Sequence, residues 1–249
     1  MKLVHCSYHK CLTVYYSNVL SSLYNRIVKF SNGYRHFNSM VGDFYRELNK
    51  YKLVSVNNHA LDLSRLGNKF RVSRFVRDPR DLIVSGYFYH RRGAEAWCNI
   101  VNPCEFDWEI VNGCLPANMD KRHSFSSYLQ SLSKEDGLIA EIDFRKKHFD
   151  SMKQWPITDA RIKVYKYEDI IGNELEIFDD IFRFYEVSWL EKRIGLFLAD
   201  HFSAKKQAGK TDHIRNPGVS QWKEHFTSKV QDYFEQQHGE LIERYGYER

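Results

Sequence analysis

Residues 3–13 of the chain read LVHCSYHKCLT, and three features follow one another from this stretch onward. Residues 3–7 have the apolar character of a short buried strand. A polar loop follows, and apolar residues then recur at helical spacing at Val14, Val19, Leu20, Leu23 and Ile27. The sequence therefore predicts a strand, a loop and a helix in direct succession at the start of the chain.

A helix that begins directly after such a loop presents unpaired backbone N–H groups and the positive end of its dipole. Lys10 adds a positive charge and Thr13 a hydroxyl group, so the loop is a candidate anion site. The Walker pattern GxxxxGK[ST] is absent, which argues against an ordinary ATP or GTP P-loop. A polar turn that only caps the helix is the alternative interpretation.

Three later stretches, at residues 52–56, 71–76 and 161–165, also have the composition of short strands, and helical or irregular segments separate them. Strands spaced by helices favour a parallel sheet. We therefore expect an α/β fold of three layers, with a central parallel β-sheet flanked by helices and a P-loop-like strand–loop–helix. We predict one domain over residues 1–249, with an irregular aromatic loop inserted at about 91–120.

The 249 residues, of which 43% are hydrophobic, are enough to bury the core of an enzyme-sized domain. Lys and Arg number 37 against 32 Asp and Glu, and the net charge of +5 is too small and too dispersed for a nucleic-acid-binding arm. We therefore expect no nucleic-acid partner. The sequence begins without a secretory leader and has no apolar run as long as a membrane span, which predicts a soluble, cytoplasmic protein.

Five cysteines cannot all pair within one chain, and none has the CxxC spacing typical of metal sites. We expect reduced thiols and no metal site. The alternative is a zinc site built from residues in one part of the sequence, namely Cys98, Cys104 and Cys114 with His90 and His123.

A second group of polar residues follows the stretch 71–76. It reads Arg77-Asp78-Pro79-Arg80-Asp81, and Ser85 lies eight residues after Arg77. Proline is favoured in the first turn of a helix, which would place Arg77 at the end of a strand and Ser85 within the helix. A guanidinium and a hydroxyl group could both bind one phosphate. The spacing alone fits a strand-to-helix turn with solvated charges equally well.

Three segments together resemble the sulfotransferases that use 3′-phosphoadenosine 5′-phosphosulfate (PAPS). Residues 77–87 are similar to the family's R-x-P-x-D-x-x-x-S segment, residues 9–13 to its P-K-S-G-T-T loop, and residues 215–223 to its R-K-G-x-x-G-x-W-K segment. The three segments occur in the family's order and span most of the chain. Leu12, Val14 and Pro217 depart from these patterns, where the family has Gly, Thr and Gly.

The resemblance implies which residues hold the two phosphate ends of the donor. The 5′-phosphosulfate would be held by Lys10, Cys11, Leu12 and Thr13, and the 3′-phosphate by Arg77, Ser85 and Arg215. Lys10 would also stabilise the negative charge that develops on the bridging oxygen as the sulfuryl group leaves. It is therefore a catalytic candidate as well as a binding one.

The adenine of the donor would lie against an aromatic side chain. Tyr167 belongs to a Tyr-Glu-Asp sequence after a late strand, as in the family, and an aromatic face can stack on a base. The alternative for Tyr167 is a core tyrosine with a satisfied hydroxyl group. Ser203 is a further candidate for nucleotide binding.

The acceptor must lose a proton as it attacks, and histidine has a suitable pKa for taking it. His59 is the candidate general base, because it follows the stretch 52–56 at a position that resembles that of the catalytic histidine in cytosolic sulfotransferases. His5 and His9 are rivals from the first strand and loop. Some glycan-acting relatives use a carboxylate instead, and the nearby acidic residues are Asp43, Glu47 and Asp62.

The resemblance implies a PAPS-dependent enzyme that releases 3′-phosphoadenosine 5′-phosphate (PAP). It implies no metal requirement, because a transferring sulfuryl group carries less negative charge than a phosphoryl group. The acceptor would be a small molecule, a lipid or a carbohydrate, bound in part by Trp97, Phe106 and Trp108 of the loop at about 91–120. The alternatives are a small-molecule kinase on a related scaffold and a PAP-binding protein without transferase activity.

Overall fold

The computed structural model describes residues 1–29, 32–38, 44–57, 61–203, 206 and 218–248. The strands are β1 (Lys2–Ser7), β2 (Tyr34–Phe37), β3 (Leu53–Asn57), β4 (Phe70–Val76) and β5 (Ile162–Lys166). The helices are α1 (Thr13–Ser21), α2 (Phe44–Glu47), α3 (Pro79–Arg91), α4 (Phe125–Ser131), α5 (Lys134–Phe144), α6 (Lys146–Gln154), α7 (Tyr167–Ile170), α8 (Glu174–Phe184), α9 (Trp189–His201), α10 (Trp222–His225), α11 (Ser228–His238) and α12 (Glu240–Arg244). A π-helix, Ser22–Ile27, continues α1, and 3-10 turns occupy Leu48–Lys50, Leu63–Leu66, Ala96–Asn99 and Glu105–Val111.

The chain forms two compact units, each built from two segments of sequence. The first unit comprises residues 1–76 and 156–218, and the second comprises residues 77–155 and 219–249. The first unit contains the five strands found among the described residues, whereas the described part of the second unit is helical with 3-10 turns.

The sheet of the first unit is parallel throughout and has the strand order β2-β3-β1-β4-β5. This confirms the predicted central parallel sheet. The middle strand is β1, whose last residue, Ser7, lies opposite Asn57 of β3 and Phe75 of β4. Because the carboxyl ends of parallel strands meet at one edge, the loop that follows β1 begins at the middle of that edge.

Helices α1, α8 and α9 of the first unit pack together. The helix α9 contacts α8, α1 and the π-helix, and the hydroxyl group of Tyr15 donates a hydrogen bond of 2.9 Å to the carbonyl oxygen of Ala199. Phe182 of α8 packs so closely on Gly195 of α9 that a Cβ atom there would lie 2.4 Å from its ring. This packing holds α1, and therefore its N-terminus, in a defined position.

The second unit has an aromatic core that surrounds a buried ionic group. Glu141 accepts hydrogen bonds from Arg145 at 2.7 Å and pairs with His90 at 2.8 Å, and all three side chains are fully buried. A Cβ atom on Gly86 of α3 would lie 2.0 Å from a carboxylate oxygen of Glu141. Glycine at this position therefore allows the ionic group to approach the α3 backbone.

The irregular segment at 91–120 supplies much of that aromatic core. Trp97 is 7% exposed and stacks on Phe144 with 5.3 Å between ring centroids, and Trp108 is fully buried. These two side chains were expected to contact an acceptor, and the structure instead gives them a packing role in the second unit. Phe106, the third aromatic residue of that expectation, is 79% exposed.

All five cysteines are free thiols, as predicted. Among the residues that the structure describes, no group of three or more His, Cys, Asp or Glu side chains is arranged to hold a metal ion. Across the same residues, no helix has both the length and the apolar character needed to cross a bilayer.

Candidate functional site

The loop between β1 and α1 contains two residues in the left-handed region of backbone conformation. Lys10 has a φ of 73° and Leu12 a φ of 59°, and this region costs a non-glycine residue about 1–2 kcal/mol. The N–H group of Cys11 donates a hydrogen bond of 2.9 Å to the carbonyl oxygen of Tyr8, which closes the turn. Local strain of this kind is typical of functional sites, where the surrounding structure holds the backbone in place.

The N-terminus of α1 lies directly after this loop. Leu12 occupies the N-cap position without a side-chain capping bond, and its carbonyl oxygen accepts the first helical hydrogen bond, from Tyr16 at 3.0 Å. The N–H groups of residues 13–15 therefore have no acceptor within the helix. Together with the helix dipole and the nearby charge of Lys10, they form a site for an anion.

The hydroxyl group of Thr13 lies at the end of a short hydrogen-bonded chain. It is 2.7 Å from the hydroxyl group of Ser7, which donates a hydrogen bond of 3.4 Å to the side-chain oxygen of Asn57. This chain joins the carboxyl ends of β1 and β3 to the first residue of α1. Neither Ser7 nor Asn57 was predicted as a site residue, and the sequence signals them only through their position as the last residue of each strand.

The expected general base, His59, lies outside the described residues, as does the acidic alternative Asp43. The rival His5 lies in the core of the first unit and is 1% exposed. Its Nδ1 atom is 2.7 Å from the Ser73 hydroxyl oxygen, and its ring stacks on Tyr16 at 3.5 Å. Burial holds the pKa of His5 well below the ordinary value of histidine, so His5 is a neutral structural residue.

The segment that begins at Arg77 opens the second unit. Pro79 is the first residue of α3, as predicted, and the carboxylate of Asp78 caps the helix by accepting a hydrogen bond of 2.9 Å from the N–H group of Arg80. Arg77 is 3% exposed, and its guanidinium lies 3.7 Å from the carboxylate of Asp81. Ser85 lies half-buried two turns into α3. The predicted partner Arg215 lies outside the described residues.

Two further candidates belong to the first unit. Tyr167 is the first residue of α7, directly after β5, and is 5% exposed. Ser203 follows α9, is also buried, and its N–H group donates a hydrogen bond of 3.2 Å to the carbonyl oxygen of Asp200. Their roles in nucleotide binding stay predictions.

The whole chain can be compared with known protein families and with solved structures. A family model described as "Sulfotransferase domain" matches residues 4–246, which is nearly the whole chain. The chain belongs to the sulfotransferase family. A comparison with curated protein sequences gives no significant match.

Solved structures show the same fold for this sulfotransferase. The crystal structure of mouse sulfotransferase SULT7A1 complexed with PAP is 16% identical in sequence and has a TM-score of 0.57, and the match covers 97% of this chain and 83% of that one. A structure of retinol dehydratase in a complex with retinol and PAP is 14% identical and has a TM-score of 0.51, with coverage of 96% and 80%. These likenesses confirm the predicted three-layer α/β fold.

Replacing Leu12 tests the left-handed turn of the loop. The variants Leu12→Gly and Leu12→Ala both remove the side chain, but only glycine adopts a positive φ without a steric penalty. We expect Leu12→Gly to be more stable than Leu12→Ala by about 1 kcal/mol in urea unfolding. At a right-handed position the order of the two variants reverses, so an alanine variant as stable as the glycine variant would contradict this conformation.

Proposed function

We propose that this sulfotransferase transfers the sulfuryl group of PAPS to a hydroxyl or amine group of an acceptor and releases PAP. The observation that carries the proposal is the loop before α1, where Lys10 lies three residues before Thr13, the first residue of a helix whose first N–H groups have no acceptor within the helix. Such a site suits the doubly anionic phosphosulfate end of the donor. The match to the sulfotransferase domain and the PAP-bound structures with the same fold support this assignment.

Each candidate donor residue has a proposed role. The 5′-phosphosulfate is held by the side chains of Lys10 and Thr13 and by the backbone of Cys11 and Leu12. The 3′-phosphate is held by Arg77, Ser85 and Arg215, and the nucleoside by Tyr167 and Ser203. The buried position of Arg77 supports its role, because a guanidinium removed from water binds a phosphate with little competition from solvent.

The reaction is a displacement at sulfur. The acceptor oxygen or nitrogen forms a bond to sulfur, the bond from sulfur to the phosphate oxygen breaks, and PAP leaves with the electron pair of that bond. Negative charge therefore develops on the departing oxygen, where the ammonium group of Lys10 stabilises it. We assign the proton of the acceptor to His59, which takes it as the new bond forms.

The proposed acceptor is a small molecule with a nucleophilic hydroxyl or amine group. The structure of retinol dehydratase with retinol and PAP supports this class, since retinol offers a hydroxyl group to the same fold. Lipids and carbohydrates offer the same nucleophile, and an acceptor screen should include all three groups.

A PAP-binding protein without transferase activity is the second candidate. It is favoured by Val14, which is 58% exposed in the first turn of α1 at the position where the family pattern has a threonine hydroxyl. This candidate predicts that PAP binds but that PAPS is never converted to PAP in the presence of any acceptor.

Binding of PAP should stabilise the folded protein. A ligand at 100 times its Kd adds about 2.7 kcal/mol to the free energy of unfolding, which a thermal shift assay detects as a rise in Tm. We expect this rise with PAP and not with ATP, and we expect Arg77→Ala to abolish it. Arg183→Ala is the control, because this arginine lies on α8 with 63% of its side chain exposed. If the Tm of the wild-type protein does not change on addition of PAP, the donor assignment is wrong.

Substituting Lys10 should impair turnover more than donor binding, because its charge is needed most when negative charge develops on the leaving oxygen. For Lys10→Ala we expect kcat to fall by about 100-fold or more, while the Kd of PAP rises by less than about tenfold. Turnover of PAPS and titration with PAP measure the two effects separately. Equal changes in both quantities would make Lys10 a binding residue without a catalytic role.

The identity of the base should appear in the pH dependence of kcat. Only neutral imidazole accepts a proton, so kcat should rise as the pH increases through about 6.5, the ordinary pKa of histidine. His59→Gln should remove this rise and lower kcat by about 100- to 10,000-fold, whereas the control His9→Gln should keep it. If kcat shows no such rise and Glu47→Gln or Asp62→Asn lowers kcat at every pH, a carboxylate is the base, because contacts with neighbouring residues hold the pKa of both carboxyl groups below their ordinary range.

A further inference from the structure

Asp81 is a fully buried carboxylate in the first turn of α3. Removing a carboxylate from water costs several kcal/mol unless charges and hydrogen bonds compensate for it. The partners of Asp81 therefore show which interactions compensate for the cost of burying its carboxylate. Its partners Arg77 and Trp222 belong to the second unit, as Asp81 does.

The two carboxylate oxygens of Asp81 have different surroundings. The Oδ1 atom accepts a hydrogen bond of 2.9 Å from the backbone N–H group of Trp222, which lies 141 residues further along the chain. The Oδ2 atom lies 3.7 Å from the Nη2 atom of Arg77. A backbone hydrogen bond from Ser220 also acts to lower the pKa of this carboxylate. One carboxylate therefore holds the start of α10 and faces the guanidinium assigned to the 3′-phosphate.

The contact between Asp81 and Arg77 orients the guanidinium without using it as a hydrogen-bond donor. At 3.7 Å the opposite charges attract, but the distance exceeds that of a hydrogen bond. Burial raises the pKa of Asp81, and the charge of Arg77 opposes that shift.

Arg80 holds the side chain of the same tryptophan. Its guanidinium lies 3.7 Å from the ring centroid of Trp222 and donates hydrogen bonds to both carboxylate oxygens of Asp78, at 3.0 and 2.7 Å. The neighbouring residue Asp81 holds the backbone of Trp222, so two consecutive residues of α3 anchor both parts of this tryptophan. Arg80 pairs closely with Asp78, and Asp81 is a negative charge that faces Arg77.

We propose that Asp81 is a positioning residue that gives the donor site its preference for a 3′-phosphorylated nucleotide. It orients Arg77 through charge and anchors the segment that begins α10 through the backbone of Trp222. This inference rests on the proposed function, because it acts through the 3′-phosphate of PAPS. A purely structural Asp81 would affect every nucleotide ligand equally, whereas a positioning residue affects only ligands that carry the 3′-phosphate.

PAP and adenosine 5′-phosphate (AMP) differ only in the 3′-phosphate and therefore test the proposal as a pair. We expect Asp81→Ala to raise the Kd of PAP by at least about tenfold while the Kd of AMP changes by less than about twofold, as measured by calorimetric titration. Asp81→Asn should give an intermediate loss of PAP affinity, because asparagine keeps an acceptor for the Trp222 N–H group but removes the charge opposite Arg77.

Asp143→Asn is the matched control, because Asp143 is a half-buried carboxylate of the same unit that accepts a hydrogen bond of 2.7 Å from Tyr233. Its ratio of PAP to AMP affinity should equal that of the wild type. If Asp81→Ala does not fold, Asp81→Asn decides the question, and a loss of at least about threefold for PAP alone supports the proposal.

A wild type that binds PAP and AMP with equal affinity overturns the inference alone, and so do two results with the Asp81 variants. One is an unchanged preference in the Asp81 variants, and the other is an equal loss of affinity for both ligands. A wild type that shows no binding of PAP overturns the proposed function and this inference together.

Discussion

The candidate site depends on the left-handed turn that joins the middle strand of the sheet to α1. Lys10 and Leu12 both have positive φ values without being glycine, so the turn persists only because its surroundings hold it. The buried strand β1 lies on one side, between β3 and β4, and α1 is held on the other by its packing against α9. Lys10 consequently lies three residues before the first residue of α1, whose first N–H groups have no acceptor within the helix.

Buried polar groups organise both segments that we assign to the donor. In the first unit, Ser7 joins Thr13 to Asn57 at the carboxyl edge of the sheet. In the second unit, Asp81 joins the start of α3 to Trp222. Each contact satisfies a polar group that would be costly to bury alone. In the proposed site, therefore, the neutral residue Ser7 holds Thr13, and the acidic residue Asp81 lies beside Arg77.

Local patterns predicted most of the fold, and distant contacts account for what was missed. The strands β1, β3, β4 and β5 lie within one residue of their predicted positions, because each is a short apolar run. The edge strand β2 was not predicted, since its four residues, YRHF, are mostly polar or exposed. Motif resemblance selected Lys10, Thr13, Arg77 and Ser85 as candidates for donor binding, which stay predictions. The contact of Asp81 with Trp222 spans 141 residues, and no local pattern encodes it. Aromatic composition alone predicted that Trp97 and Trp108 would contact the acceptor, whereas both side chains are buried in the core of the second unit.

The central claim is that the loop before α1 holds the phosphosulfate end of the donor. A crystal structure of the protein with PAP tests it most directly. We expect an oxygen of the 5′-phosphate within about 3 Å of the Lys10 Nζ atom and of the first backbone N–H groups of α1. A 5′-phosphate bound away from this loop, with Lys10 directed elsewhere, would contradict the account.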